Sequence, residues 1–274
     1  MQRPVLLFPS HSGAKVNPET RNDSAFVRAE VADGIATIRF FHPQSNSLPG
    51  EILRRLAHAI DDAAGHPEVR VLVLQSHGEK AFCAGASFDE LISIESREAG
   101  QYFFEGFSLV ILAIRRCPKL VIGRVQGKAV GGGVGLAAAV DYCIATTAAA
   151  IKLSELAVGI GPFVVGPAVE RKLGLAGMSA LAIDASSWRS AEWAAQHGLY
   201  AELHPDLATL DLAVKRLATQ LSQSSPEAMS DLKRMLWEGT EHWPDLLPSR
   251  AAVSGRLVLS DFTRQAIQAF KSKP

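Results

Sequence analysis

Three consecutive glycines, Gly131, Gly132 and Gly133, stand between a short β-branched run over 120–126 and an apolar run of helical character over 134–140. Glycine lets the backbone pass close to another group and take positive φ without steric cost. Three of them ahead of a helix place unpaired N–H groups at the positive end of its dipole. Such a place holds an anion, or an oxygen on which negative charge develops. About twenty residues further on, Glu155 sits between alanine-rich apolar runs, where loss of solvent raises a carboxyl pKa. A donor pocket beside one poised carboxylate is equipment for moving a proton. No Gly-Lys-Ser/Thr follows the glycines, which argues against a phosphate loop, and Gly133-Val134-Gly135 lacks the third glycine of a dinucleotide turn. Taken singly, such glycines also serve tight packing, and an isolated glutamate is usually solvated or salt-bridged.

A second loop over 79–88, Glu-Lys-Ala-Phe-Cys-Ala-Gly-Ala-Ser-Phe, directly follows a nearly continuous apolar run over 69–74. Small residues there let a ligand lie against the main chain, with amide groups free to donate. The two loops together can aim N–H groups at a single oxygen. That suits an enolate, formed when a proton leaves the carbon next to a thioester carbonyl. Two such donors in a dry site can supply about 3 kcal/mol each.

The elements that must position these loops are legible in the same pattern. Residues 1–24, with Pro4, Pro9 and Pro18, read as an irregular arm. Runs over 26–32 and 35–41 alternate around Asp33-Gly34, a hairpin signal. A loop over 42–49 leads to a helix with Leu53, Leu56, Ile60 and Ala63 on one face. The 69–74 run predicts a parallel strand buried on both faces. A helix over 96–116 ends at Pro118, and short strands are expected over 140–146 and 149–153. From Pro162 onward the pattern is helical: 165–173, 178–185, 191–197 closed by Gly198, then a stripe of Leu207, Leu210, Val214, Leu217 and Leu221. Ser225-Pro226 opens another helix, and two shorter pieces are expected around Leu257 and Ala269. The recurring strand–helix order predicts an α/β fold with a largely parallel sheet, and a composition shift near 203 marks the start of the helical end.

The 274 residues suffice for a sizeable core. Lys+Arg of 28 balances Asp+Glu of 28, so no net basic field draws nucleic acid, and near-zero charge suits self-association. Cys83, Cys117 and Cys143 lie in apolar surroundings without metal-ligand spacing; they read as reduced core thiols, and no metal is expected. The N-terminal apolar run is too short for a signal peptide, and no run approaches the ~18–20 residues of a membrane span. The expectation is a cytoplasmic protein without a membrane partner.

Over about residues 25 to 274 the chain resembles the crotonase (enoyl-CoA hydratase/isomerase) superfamily. Asn46-Ser47-Leu48 is similar to that family's Asn-Ala-Leu loop, 80–86 to its Lys-Ala-Phe-x-Ala-Gly loop, and 130–136 to its second glycine loop. Asp141 matches the aspartate closing the next helix, and Phe270 an Ala-Phe pair near the end. The resemblance implies a β/α spiral core over 25–203 with a CoA and acyl site. It also implies a helical region over 204–274 that builds a homotrimer or a dimer of trimers and closes the CoA site. No cofactor is implied beyond coenzyme A carried as part of an acyl-CoA substrate. The N–H groups of Ala86 and Gly132 would form the oxyanion hole. Asn46, Ser47, Leu48, Lys80, Phe82, Ala84 and Gly85 would hold the adenine and pantetheine parts, with Lys80 and Lys273 near the phosphates. Gly131, Gly133 and Phe163 complete the set expected to bind substrate.

Departures from the hydratase pattern set the expected chemistry. A hydratase of that family uses two glutamates, one after the second glycine loop and one some twenty residues later. Here the first position is Gly135 and the second is Glu155. One carboxylate suffices to remove a proton from one carbon and return it to another. This arrangement, with Gly159-Ile160-Gly161-Pro162-Phe163 behind it, is similar to the Δ3,Δ2-enoyl-CoA isomerases. Phe163 stands near the position where dienoyl isomerases and aryl-CoA dehalogenases carry an aspartate, which argues against those activities. Double-bond isomerisation by Glu155 is therefore expected. Hydration with a carboxylate recruited from Asp89 or Glu90 is the first alternative, and a non-catalytic binding protein the second. Ser87 stands where the family usually has an aspartate. Gln126, Lys128 and Ser154 are further candidates to line the acyl site, and His42 and His77 end strands near it.

Overall fold

The computed structural model describes residues 6–7 and 24–271. Three antiparallel strands begin its main sheet: β1 (Leu6–Leu7), β2 (Phe26–Ala32) and β3 (Ile35–Phe41). Asp33 and Gly34 make the expected hairpin turn, both with positive φ, 52° and 79°. That is the turn whose twist matches the strands it joins. The sheet continues in parallel through β4 (Val71–Ser76), β5 (Val121–Val125), β7 (Tyr142–Thr146) and β9 (Glu202–His204). A small second sheet pairs β6 (Ala129–Val130) with β8 (Ile151–Lys152), in parallel. The strand expected over 149–153 is thus only its central pair.

Alternation along the parallel strands divides the core in two. Leu72 and Leu74 of β4 face the larger cluster, which includes Leu53, Leu56 and Ile60 of α1 (Gly50–Gly65). Val71 and Val73 face the other way, with Ile122 and Ile144, onto Leu210, Ala213, Val214 and Ala218 of a later helix, Leu207–Ser222. The loop after β4 gives way to α2 (Phe88–Ser93), a short helix in a stretch where the sequence carries no expectation beyond Phe88. Ser87 caps it by accepting the Glu90 N–H, so its hydroxyl does the work of a capping residue. Next comes α3 (Arg97–Arg116), as the periodicity predicts, capped by Ser96.

The glycine turn opens α4 (Gly132–Ala139), in which every residue is buried. A helix apolar all round belongs in the interior. Continuing along the chain, α5 (Gly166–Ile183) is interrupted at Gly174, whose φ of 68° and ψ of 169° split it into the two helices expected. The remaining helices are α6 (Ala191–Gln196), α7 (Leu207–Ser222), α8 (Pro226–Leu236), α9 (Trp243–Leu257) and α10 (Asp261–Lys271). The piece expected around Leu257 is the end of a 15-residue helix.

Asp141, at the end of α4, fastens α8 to the sheet. Its carboxylate accepts from Val121 N–H and from Trp237 Nε1, both at 2.7 Å, and pairs with Lys233 Nζ at 2.9 Å. Lys172 Nζ donates to the Asp141 carbonyl at 3.0 Å. Both members of the Asp141–Lys233 pair are buried, which is tolerable only because each finds several partners. A second fastening is steric: Gly100 of α3 and Gly255 of α9 touch main chain to main chain, and a β-carbon on Gly100 would stand 2.7 Å from the Gly255 α-carbon.

Candidate active site

Two loops are laced together by backbone pairing. Leu48 N–H donates to Gly85 O at 2.7 Å, and Ser87 N–H to Leu48 O at 3.3 Å, a parallel bridge between Leu48 and Ala86. In such a bridge the bonds run to the residues flanking Ala86, so its own N–H points away from Leu48. Among the described residues the Ala86 N–H meets no acceptor. On the other side Val130 N–H donates to Cys83 O at 2.9 Å. Gly85 has a φ of 90° and lies so close that a β-carbon there would stand 2.9 Å from Val130 O and 3.6 Å from Gly132 N. Only glycine permits that approach.

The same packing selects which glycine amide is free. Gly131 N–H donates to Lys152 O at 2.8 Å, and the Gly131 carbonyl accepts from Val134 and Gly135. Gly133 packs onto Cys83. Gly132 N–H, the first of α4, has no acceptor among the described residues. Ala86 and Gly132 therefore bring one unpaired N–H each to a common pocket, whose walls include both. A lone oxygen between them would gain two donors at the positive end of a helix.

Glu155 begins the short 3-10 turn Leu156–Val158 and lines this pocket. Its main chain is anchored by Val158 and Ile160, whose N–H groups donate to its carbonyl at 3.2 and 2.9 Å. The residue is half-buried as a whole, but its Oε2 is buried and has no hydrogen-bond partner among the described residues. Burial pushes the carboxyl up to about 7, against an ordinary 4.5. No cation is near enough to reverse the shift. Cys83, beside the donor loop, is no competitor as a nucleophile, because burial pushes its thiol up to about 12.

The pocket is narrow, leaving about 50 Å³ for the centres of water molecules. Ala84, Gly85, Ala86, Gly131, Gly132, Glu155 and Phe163 of the expected set line it, as does Ser154. Phe163 is half-exposed, and Gly161 leaves the space its ring edge occupies. The remaining residues of the set stand elsewhere. Asn46, with φ of 57°, accepts from His42 N–H and donates to His77 O and Ala81 O, tying two loops together. Leu48 and Phe82 are core residues, and Ser47 is buried against His42. Lys80 is exposed outside the pocket, and its carbonyl rests on Gly127. Lys273 lies outside the described residues, as do the side chain of Phe270 and most of the arm over 1–24.

Further candidates sort in the same way. Gln126 is buried, donating to Ser76 Oγ at 2.8 Å, and Lys128 stands over the Trp188 ring. His77 packs against Phe26 and Phe41. Asp89 accepts from Gln44 Nε2 at 2.6 Å, and Glu90 Oε2 accepts from Gly50 N–H at 2.8 Å at the start of α1. Neither carboxylate lines the pocket, so Glu155 is the one carboxylate there among the described residues. Sequence reasoning missed the walls contributed by Phe104 and Phe107 of α3, by Val165, and by Ser254 of α9. Nothing local marks these residues, because tertiary packing alone brings them to the site.

A sequence model of the enoyl-CoA hydratase/isomerase family matches residues 30–273. The chain belongs to the enoyl-CoA hydratase/isomerase family. A probable enoyl-CoA hydratase of Rhodobacter capsulatus is 30% identical over 250 residues, 90% of this chain and 95% of the relative. A trans-2-decenoyl-[acyl-carrier-protein] isomerase of Streptococcus mutans is 24% identical over 250 residues, 89% of this chain and 94% of that one. The crystal structure of an enoyl-CoA hydratase from Bacillus halodurans superposes with a TM-score of 0.81 at 22% identity, covering 89% of this chain and 99% of that one. That likeness establishes the crotonase fold. Among the described residues, no helix is long and apolar enough to cross a membrane, and no group of His, Cys, Asp and Glu is arranged to hold a metal.

Within this crotonase fold, position 135 is closed to any side chain. A β-carbon on Gly135 would stand 2.4 Å from Val165 Cγ1 and 2.5 Å from Val165 Cβ. Val165 is buried and lines the pocket. An apolar side chain thus fills the space that a carboxylate from position 135 would need.

Proposed function

We propose that this chain moves a carbon–carbon double bond within an acyl thioester, with Glu155 as both base and acid. One observation carries the reading: among the described residues the pocket has a single carboxylate, and burial pushes its pKa up to about 7. A group with a pKa near the working pH is efficient in both directions of proton transfer. The Glu155 carboxylate takes a proton from the carbon next to the thioester carbonyl. The freed electron pair forms a double bond to the carbonyl carbon, whose own π pair moves onto the thioester oxygen as negative charge. The Ala86 and Gly132 N–H groups donate to that oxygen. Return of the same proton to the far carbon of the original double bond completes an isomerisation with no net gain or loss of atoms.

The substrate in this reading is an acyl-CoA, and coenzyme A enters as part of it; no resident cofactor takes part. Residues 46–48 and 80–84 would form the carrier-binding edge through their main chain, since the side chains of Asn46, Leu48 and Phe82 are already engaged or buried. A homotrimer or dimer of trimers in the cytoplasm remains part of the proposal.

Hydration is the second reading, favoured by the names of the relatives, several of which are called hydratases. It needs a second carboxylate to activate water, and Asp89 and Glu90 are engaged elsewhere. The discriminating assay offers 3-enoyl-CoA and 2-enoyl-CoA thioesters to the same preparation. Isomerisation without 3-hydroxyacyl-CoA supports the proposal; fast hydration of 2-enoyl-CoA with no isomerisation contradicts it. Turnover of neither would favour a non-catalytic binding protein.

A further inference from the structure

Two polar side chains in the pocket, Ser154 and Ser254, have no role in proton transfer from Glu155, and Ser254 is the buried one. Ser254 lies inside α9, is 1% exposed, and lines the same cavity. Its carbonyl accepts the Val258 N–H within the helix, but its hydroxyl makes no hydrogen bond among the described residues. Other helical serines of this chain do turn inward: Ser249 Oγ donates to the Leu246 carbonyl at 2.7 Å. Ser254 does not. Its oxygen is not one of the fully enclosed side-chain atoms that lack a partner, so it keeps contact with the pocket, where a ligand oxygen can satisfy it.

The neighbourhood narrows what the hydroxyl could meet. The glycine contact between Gly100 and Gly255 draws α9 main chain onto α3, which sets the adjacent Ser254 beside the wall built by Phe104 and Phe107. Against those rings the hydroxyl is the only hydrogen-bonding side chain that α3 or α9 contributes to the pocket, among the described residues. No lysine, arginine or histidine lines it, so a carboxylate on the ligand would be buried without a counter-charge. A serine hydroxyl both donates and accepts, which matches a neutral oxygen substituent.

The geometry points to Ser254 as a specificity-determining contact that selects acyl thioesters carrying a neutral oxygen substituent, such as a hydroxyl or keto group, on the acyl chain. This rests on the acyl-thioester reading of the site. Its test is a binding measurement that needs no turnover.

Titration calorimetry would compare butanoyl-CoA with 4-hydroxybutanoyl-CoA, neither of which carries a double bond to move. The expected result is about fivefold tighter binding of the hydroxylated thioester, the size of one hydrogen bond. Ser254→Ala should erase that preference and leave butanoyl-CoA affinity within about twofold. Ser254→Gly, which removes the hydroxyl without filling the space, should do the same, and thermal melts would show that both variants fold. Equal affinity of the two thioesters for the native chain overturns the inference. So does a preference that survives in Ser254→Ala, an equal loss for both ligands, or no binding of either. A preference that holds in a protein unable to isomerise any 3-enoyl-CoA would sink the isomerase reading and leave this contact standing.

Discussion

The Glu155 carboxylate lies against the α-carbon of Gly131: a β-carbon at position 131 would stand 3.0 Å from Oε1 and 3.3 Å from Cδ of that glutamate. Gly131 also has a φ of 53°, a region that favours glycine. The acid/base and the donor turn are thus in direct contact, so neither can be changed without the other. Gly131→Ala should lower kcat by about tenfold or more while leaving far-ultraviolet circular dichroism unchanged. A variant with full kcat would show that the contact is not needed.

The raised pKa of Glu155 sets the direction of two pH effects. Glu155 must be ionised to accept a proton, so kcat/KM should rise with pH and reach half its plateau near pH 7. Stability should move the other way. The folded protein holds the Glu155 proton more tightly than the unfolded chain, whose value is near 4.5, so stability falls as pH rises from about 4.5 through about 7. Glu155→Gln should flatten that part of the profile. Urea titrations of the two proteins across this window would check it, and parallel profiles would contradict the account.

Gly135 and Val165 form a matched pair. Gly135→Ala forces a methyl to within 2.4 Å of Val165 Cγ1 and should cost about 1–3 kcal/mol, as overpacked cores do. Val165→Ala, mildly destabilising alone, should relieve much of that cost in the double variant. Chemical denaturation of the four proteins in a double-mutant cycle measures the coupling. Strictly additive losses would mean that the two positions do not compete for space.

Lys233→Met should destabilise the fold by about 3 kcal/mol or more, because it leaves the buried Asp141 carboxylate without its ammonium partner. Guanidinium unfolding monitored by tryptophan fluorescence is apt, since Trp237 donates to the same carboxylate. A loss below about 1 kcal/mol would place the anchoring of α8 elsewhere.

Local patterns carried much of this structure into the sequence. Asp33-Gly34 marks its hairpin because positive φ at both turn residues is a local requirement, and Gly174 marks the break in α5 for the same reason. The continuous apolar run at β4 reads as a parallel strand because both of its faces are covered. Ala86 and Gly132 are named through two loop motifs that resemble the family's, and Glu155 through its apolar surroundings; the fold brings all three to one pocket. The walls are not legible. Val165 meets Gly135 across a turn, and Ser254 arrives on a helix about a hundred residues beyond Glu155, held there by a glycine contact with α3. Such neighbours leave no periodic or compositional trace. Helix α2 was missed because its signal is one capping serine before six residues.

Proton exchange tests the central claim most directly. Native protein and Glu155→Gln would each be incubated with a saturated acyl-CoA in deuterated water, and the thioester analysed by mass spectrometry and proton magnetic resonance. The account predicts deuterium at the carbon next to the thioester carbonyl with the native protein, and a rate lower by about 100-fold or more with Glu155→Gln. Equal exchange by both proteins, or none by a native protein that binds the thioester, would contradict Glu155 as the acid/base of this site.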